Sequence, residues 1–133
     1  MTNEFILRVA KVLNANSVNY FVTGGGAEFI RGTKTYTKDL DIVVRVDDDN
    51  IKAIRRSFDF LNIIRNKALH DLKAGRIVRA SLFPFSLDVM PVLDGLDIDE
   101  AFLNIETIHF DGLAIPVINK LDLNKNYKAI NHE

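Results

Sequence analysis

Cysteine and tryptophan are absent from this 133-residue chain, and proline occurs only three times. Without cysteine there can be no disulfide and no thiolate metal site, and a reducing compartment is permitted. No stretch approaches the roughly 20 apolar residues that a membrane-spanning helix requires. Internal repeats, low-complexity tracts and linker-like segments are also missing, so nothing in the sequence divides the chain. The opening "MTNEFILRVAKVLNAN" lacks the uncharged apolar core and small-residue cleavage site of a signal peptide. The expectation is a cytoplasmic, soluble, single domain spanning residues 1–133, within the roughly 100 to 200 residues usual for one domain.

Hydrophobic residues make up 47% and charged residues 26%, a balance too apolar for a disordered chain. A chain of this length buries roughly two thirds of its unfolded surface and needs no covalent staple. The net charge of -1 hides an asymmetry. Residues 51–80 carry eight basic side chains (Lys52, Arg55, Arg56, Arg65, Lys67, Lys73, Arg76, Arg79) against Asp59 and Asp71. Residues 81–133 carry nine acidic side chains against three lysines. The basic stretch can attract a polyanion or form a solvated helix face; no aromatic residues interleave its basic ones, which favours the second reading.

Apolar periodicity predicts helices and strands in alternation. Ile6, Val9, Ala10 and Leu13 lie at helical spacing after a capping Thr2. "VNYFVT" (18–23) reads as a strand stopped by Gly24, residues 26–31 as a short helix ended by Gly32, and "DLDIVVRV" (39–46) as a strand. Acidic residues then cap a helix whose inner face is Ile51, Ile54, Phe58 and Leu61, followed by a short helical stretch at 66–74. "RIVRASLF" and "FSLDVMPV" predict two strands joined through Pro84, and "DIDEAFLNI" a capped helix. "ETIHF" and "LAIPV" predict a hairpin around Asp111-Gly112, with a helical tail from Asn119. The fold class is therefore α/β (α+β), a mixed sheet flanked by helices.

The chemistry concentrates in residues 21–44, "FVTGGGAEFIRGTKTYTKDLDIVV". A dinucleotide fingerprint fails because Phe29 stands where a third glycine or alanine is needed. An ATPase-type phosphate loop fails because Thr33 separates Gly32 from Lys34. What remains is a strand running into glycines at a helix N-terminus, which serves either as a tight corner or as an anion cradle.

Asp-x-Asp occurs three times outside overlapping runs. Asp47/Asp49 and Asp97/Asp99 precede helices, where carboxylates cap free amides. Asp39 and Asp41 instead open a strand, so alternation puts both on one face while Leu40 and Ile42 point into the core. Two such carboxylates repel each other unless a cation lies between them, and an all-oxygen set suits Mg²⁺. Asp88, inside the apolar "SLDVMP" strand, supplies a third carboxylate; metal or a solvent-open strand face would each explain it.

Taken together, these features resemble the nucleotidyltransferase superfamily typified by DNA polymerase β, and in particular its small prokaryotic members. In that family a strand leads into a Gly-Gly or Gly-Ser turn on a helix, followed by Asp-h-Asp-h (h is apolar) and by a third carboxylate on a neighbouring strand. Gly24 and Gly25 match the turn, Ala27 the small residue after it, and Asp39, Asp41 and Asp88 the carboxylates. Gly32 and Thr37 also fall where relatives carry such residues. A weaker likeness extends to "LAIPVINKLDLNKNYK", with Lys125 at the family's lysine.

The resemblance implies transfer of a nucleoside monophosphate from a nucleoside triphosphate (NTP) to a hydroxyl acceptor by a two-Mg²⁺ mechanism. It implies Asp39 and Asp41 as ligands of both ions, and Asp88 as a ligand of the ion that activates the acceptor. It implies Gly24, Gly25 and Gly26 as the phosphate cradle, and Lys125 with Lys34 or Lys38 as charge partners of the phosphates; solvated surface lysines are the alternative for all three. Thr35 stands where many relatives carry arginine, and the sequence stops soon after Lys125, where many continue with further helices. The expected partners are an NTP, an RNA, protein or small-molecule acceptor, and a second copy or a small helical protein, with no membrane. Neither length nor charge offers a channel for a DNA duplex. The alternative is a catalytically weak nucleotide- or partner-binding module, such as one half of a toxin–antitoxin pair. His70, His109 and His132 lack zinc-ligand spacing and read as ordinary structural or exposed histidines.

Overall fold

The computed structural model describes residues 1–131; His132 lies outside them. Helix α1 (Asn3–Ala15) starts at Thr2, whose hydroxyl accepts from the Phe5 amide, and buries Phe5, Ile6, Val9, Ala10 and Leu13. Strand β1 (Tyr20–Thr23) is buried throughout and runs directly into α2 (Gly24–Arg31), which Gly32 closes in the left-handed conformation. Strand β2 (Asp39–Val44) follows, then α3 (Asp48–Phe60) and α4 (Arg65–Lys73). Strands β3 (Val78–Leu82) and β4 (Phe85–Met90) form a hairpin on the two-residue turn Phe83-Pro84. Next come α5 (Ile98–Leu103), the hairpin β5 (Glu106–Phe110) and β6 (Leu113–Val117), and α6 (Lys120–Asn131).

The six strands form one mixed sheet in the order β3-β4-β2-β1-β6-β5. The central β2 pairs antiparallel with β1 and parallel with β4, and β1 pairs parallel with β6. Register divides the side chains between two faces. Leu40, Ile42, Leu87, Val89 and Val22 share one face, where Phe5 of α1 meets Phe85 at 5.2 Å between ring centroids. Phe21 and Val43 point to the opposite face, where Phe102 of α5 stacks edge-on to Phe21 at 4.9 Å and Arg45 lies over the Phe102 ring. Asp39 and Asp41 stand on this second face, as strand alternation requires.

Asp47 and Asp97 cap α3 and α5 through the amides of Asn50 and Glu100, as their placement before helices predicts. Asp111 and Gly112 take positive φ at the β5–β6 turn, the conformation a two-residue hairpin turn demands. The strands are shorter than expected, β1 starting at Tyr20 and β2 ending at Val44, and the helix expected from residue 26 begins at Gly24, so all three glycines form its first turn. Among the described residues, no helix is long and apolar enough to cross a membrane.

Asn50 looks like the end of an acidic run but works as a buried clamp, with 2% of its surface exposed. Its amide group donates to the Asn19 and Arg45 carbonyls and accepts from the Asn19 amide, tying α3 to the approach of β1 and the exit of β2. Replacing Asn50 by Ala leaves these backbone groups without partners and is expected to cost about 2–3 kcal/mol. Urea unfolding measures this; a loss below about 0.5 kcal/mol, the range of an ordinary surface change, would refute the clamp.

Candidate active site

Four strands place one polar row across this second face. Pairing sets Arg79 of β3 beside Asp88 of β4, Asp88 beside Asp41 of β2, and Asp41 beside Thr23 of β1. Two residues along β2, Asp39 pairs with Ser86, which pairs with Ser81. Directly opposite residues in a sheet share a face, so these side chains converge there. The three aspartates singled out from sequence are therefore neighbours.

Hydrogen bonds order the cluster. The Arg79 guanidinium donates from Nε and Nη2 to both oxygens of Asp88, each at 2.9 Å, and its Nη2 is 3.6 Å from Asp39 Oδ2. Ser86 Oγ donates to Asp39 Oδ1 at 2.5 Å. Asp88 is only 8% exposed, so its charge needs this partner. The Asp41 carboxyl is pushed up to about 7, first by burial, then by the charges of Asp88 and Asp39 and a hydrogen bond with Asp88; Arg79 opposes the shift. The same contact, led by the Asp88 hydrogen bond, raises the Arg79 pKa. Among the described residues, no three Asp, Glu, His or Cys side chains stand as a ready-made metal cage.

The glycines differ in what they do. A Cβ on Gly24 would lie 2.7 Å from Asp41 Oδ2, and its φ of +60° favours glycine independently. A Cβ on Gly25 would lie 3.0 Å from Thr37 Oγ1 and 3.3 Å from Lys34 Nζ, so the loop after α2 folds a hydroxyl and an ammonium over the helix start. A Cβ on Gly26 would press on Leu40 and Val22 at 3.0 and 3.2 Å, making this glycine a packing residue. The first turn of α2 has no acidic residue, whereas α3 and α5 carry Asp48 with Asp49 and Asp99 with Glu100 there. Thr23 stands at the N-cap without a side-chain bond to the helix. Its hydroxyl is buried and has no hydrogen-bond partner among the described residues.

Of the lysines, Lys34 reaches the glycines. Lys38 is exposed and borders a shallow hollow with Asp39, Phe83 and Ser86. The Lys125 ammonium is 4.0 Å from Asp122, in a groove with Glu106 and Asn119. On α6, Tyr127 feels the Asp41 charge. Its hydroxyl donates to the Glu28 carboxylate of α2, and burial, Glu28 and the Asp41 charge together raise its pKa above the ordinary phenol value. His70 and His109 are exposed. Arg65, Lys67 and Arg76 of the basic stretch pair with Asp59 and Asp71.

Arg79, Thr23 and Tyr127 escaped the sequence reading. For Arg79 a signal existed: a two-residue turn at Phe83-Pro84 pairs Leu82 with Phe85, and counting outward pairs Arg79 with Asp88. Thr23 and Tyr127 depend on pairings between segments far apart in sequence, for which no turn sets the count.

No family model matches the chain, and a search of curated proteins gives no match. Among solved structures, a protein from Thermotoga maritima, provisionally described as a nucleotidyltransferase and determined at 1.87 Å, is similar with a TM-score of 0.69. The two are 16% identical, and the match covers 97% of this chain and 84% of that one. At that identity the likeness establishes the fold: a nucleotidyltransferase-like mixed sheet flanked by helices.

Proposed function

We propose that this chain is a metal-dependent nucleotidyltransferase that moves a nucleoside monophosphate from an NTP to a hydroxyl acceptor, releasing pyrophosphate. One observation carries the reading. The Asp41 carboxylate, flanked by Asp88 and Asp39, rests against the first glycine of a helix whose opening turn is free of acidic side chains. Phosphate-binding amides and a carboxylate cluster thus adjoin at one point.

The donor set suits Mg²⁺: three carboxylates on two adjacent strands, with the Asp41 carboxyl pushed up to about 7 by burial and by the charges of Asp88 and Asp39, a cost that a cation would relieve. Asp39, Asp41 and Asp88 would hold the metal, which supplies charge neutralisation and a more acidic acceptor hydroxyl. Gly24 and Gly25 leave the α2 N-terminus without side chains of its own, so Asp41, Thr37 and Lys34 pack against it; a triphosphate would approach the α2 amides there, beside the Lys34 ammonium. Ser86 orients Asp39 through its hydroxyl. The second reading, a catalytically weak nucleotide-binding module, draws support from the pairing of both Asp88 oxygens with Arg79.

Calorimetric titration of ATP and GTP, with Mg²⁺ and with EDTA, tests the proposal before any acceptor is known. Mg²⁺-dependent binding is expected in the native chain and in Asp47→Asn, which alters only a helix cap, and is expected to be lost in Asp39→Asn. Absence of binding to either nucleotide, or equal binding in EDTA and in Asp39→Asn, would overturn the assignment. Binding followed by transfer to an added hydroxyl acceptor separates the enzyme from the weak module.

A further inference from the structure

Asp88 has both carboxylate oxygens engaged by Arg79, and a divalent cation would need at least one of them. Arg79 lies on β3, the edge strand of the sheet, in the β3–β4 hairpin that sets it opposite Asp88. Its Nη2 also stands 3.6 Å from Asp39 Oδ2, so one guanidinium spans two of the three carboxylates. The other oxygen of Asp39, Oδ1, accepts from Ser86 Oγ. This arrangement explains why no three acidic groups form a cage among the described residues.

We infer that Arg79 is an internal counter-ion that closes the metal site and competes with the divalent cation for Asp88 and Asp39. The inference rests on the metal-dependent reading above and adds a gate to it. A planar fork matched to both oxygens of one carboxylate gives a specific, charge-assisted contact rather than diffuse attraction. The Arg79 side chain is 65% exposed, so turning it outward removes no large buried area. It borders the groove between α4 and β3, lined also by Lys67, Asp71 and Ile77, which leaves space for the displaced group. Arg79 acts through Asp88 and is a positioning residue; nothing in its contacts places it on the reacting atoms.

The test is Mn²⁺ titration of the full chain without nucleotide, read by electron paramagnetic resonance. Arg79→Met keeps the aliphatic stem and is expected to bind Mn²⁺ about tenfold more tightly than the native chain. Arg79→Lys keeps the charge without the fork and is expected to fall closer to Met than to Arg. Arg76→Met, which removes a positive charge paired with Asp71, is expected to leave the affinity unchanged. A melting scan gives a second readout: metal-free Arg79→Met melts below the native chain, and Mn²⁺ raises its Tm by more. Equal or weaker binding by Arg79→Met overturns the gate while leaving the metal reading intact. A native-like Arg79→Lys reduces it to long-range charge and also overturns it. Failure of the native chain and both Arg79 variants to bind Mn²⁺ overturns the metal reading and the gate together.

Discussion

Asp41→Asn is expected to abolish nucleotidyl transfer, lowering kcat/KM by about a thousandfold or more, or about 4 kcal/mol of transition-state stabilisation. The same substitution is expected to stabilise the metal-free fold at pH 8. Burial, together with the charges of Asp88 and Asp39 on either side, raises the Asp41 carboxyl from 3.8 to about 7 in the folded protein. Below pH 3.8 folded and unfolded chains both hold this proton and no penalty exists. Between 3.8 and about 7 the unfolded chain releases it while the folded chain keeps it, so stability falls as pH rises. Above about 7 the full penalty is present. Asparagine keeps the shape without the charge, so the variant's pH profile in EDTA should be flatter. Its gain at pH 8 should be about 1–2 kcal/mol, after discounting for screening and for coupling among the three carboxylates. Urea unfolding at pH 5 and pH 8 measures the difference. A variant that is less stable than the native chain at pH 8, or one that retains transfer, contradicts this account of Asp41.

Gly24→Ala carries the second large effect, because two independent constraints meet at one residue. The backbone is at φ +60°, which costs a residue bearing a Cβ about 1–2 kcal/mol. The added methyl would also lie 2.7 Å from Asp41 Oδ2, so the carboxylate must move away from the start of α2. A displaced Asp41 is expected to reduce transfer by about a hundredfold, beyond anything the stability loss explains. Gly32→Ala provides the comparison. It has φ +80° with nothing within 4 Å of the added Cβ, so it should lose stability to a similar degree and keep its activity. Equal losses of activity in the two variants would show that backbone strain alone, and not the fit of Asp41 on Gly24, governs the site.

Much of the candidate site is legible in the sequence. Strand alternation placed Asp39 and Asp41 together on one face, and their position ahead of a strand separated them from the capping aspartates Asp47 and Asp97. The glycines were legible as a group but not individually. Gly24 answers to Asp41, Gly25 to Thr37 and Lys34, and Gly26 to Leu40 and Val22, and these neighbours follow from how α2 settles on the sheet. Lys125 is singled out by resemblance to the family's lysine-bearing helix, and it lies on α6 beside Asp122. Which side chains of α6 face the carboxylates depends on how the helix docks, and it is Tyr127 that meets Glu28 and feels the Asp41 charge.

The amino-acid sequence by itself determined the local and periodic features. These include the capped helices, the hairpin turn at Asp111-Gly112, the apolar strand cores, and the face on which each strand carries its carboxylates. Such features depend on neighbours within a few residues, where backbone geometry leaves little choice. Tertiary structure alone decided the strand order, which brings β4 beside β2 and thereby Asp88 beside Asp41. It also decided that Thr23 would lie buried beside Asp41 and that a single arginine from the edge strand would hold Asp88. Those pairings join segments separated by many residues, and they are set by the burial of the whole apolar face rather than by any local pattern.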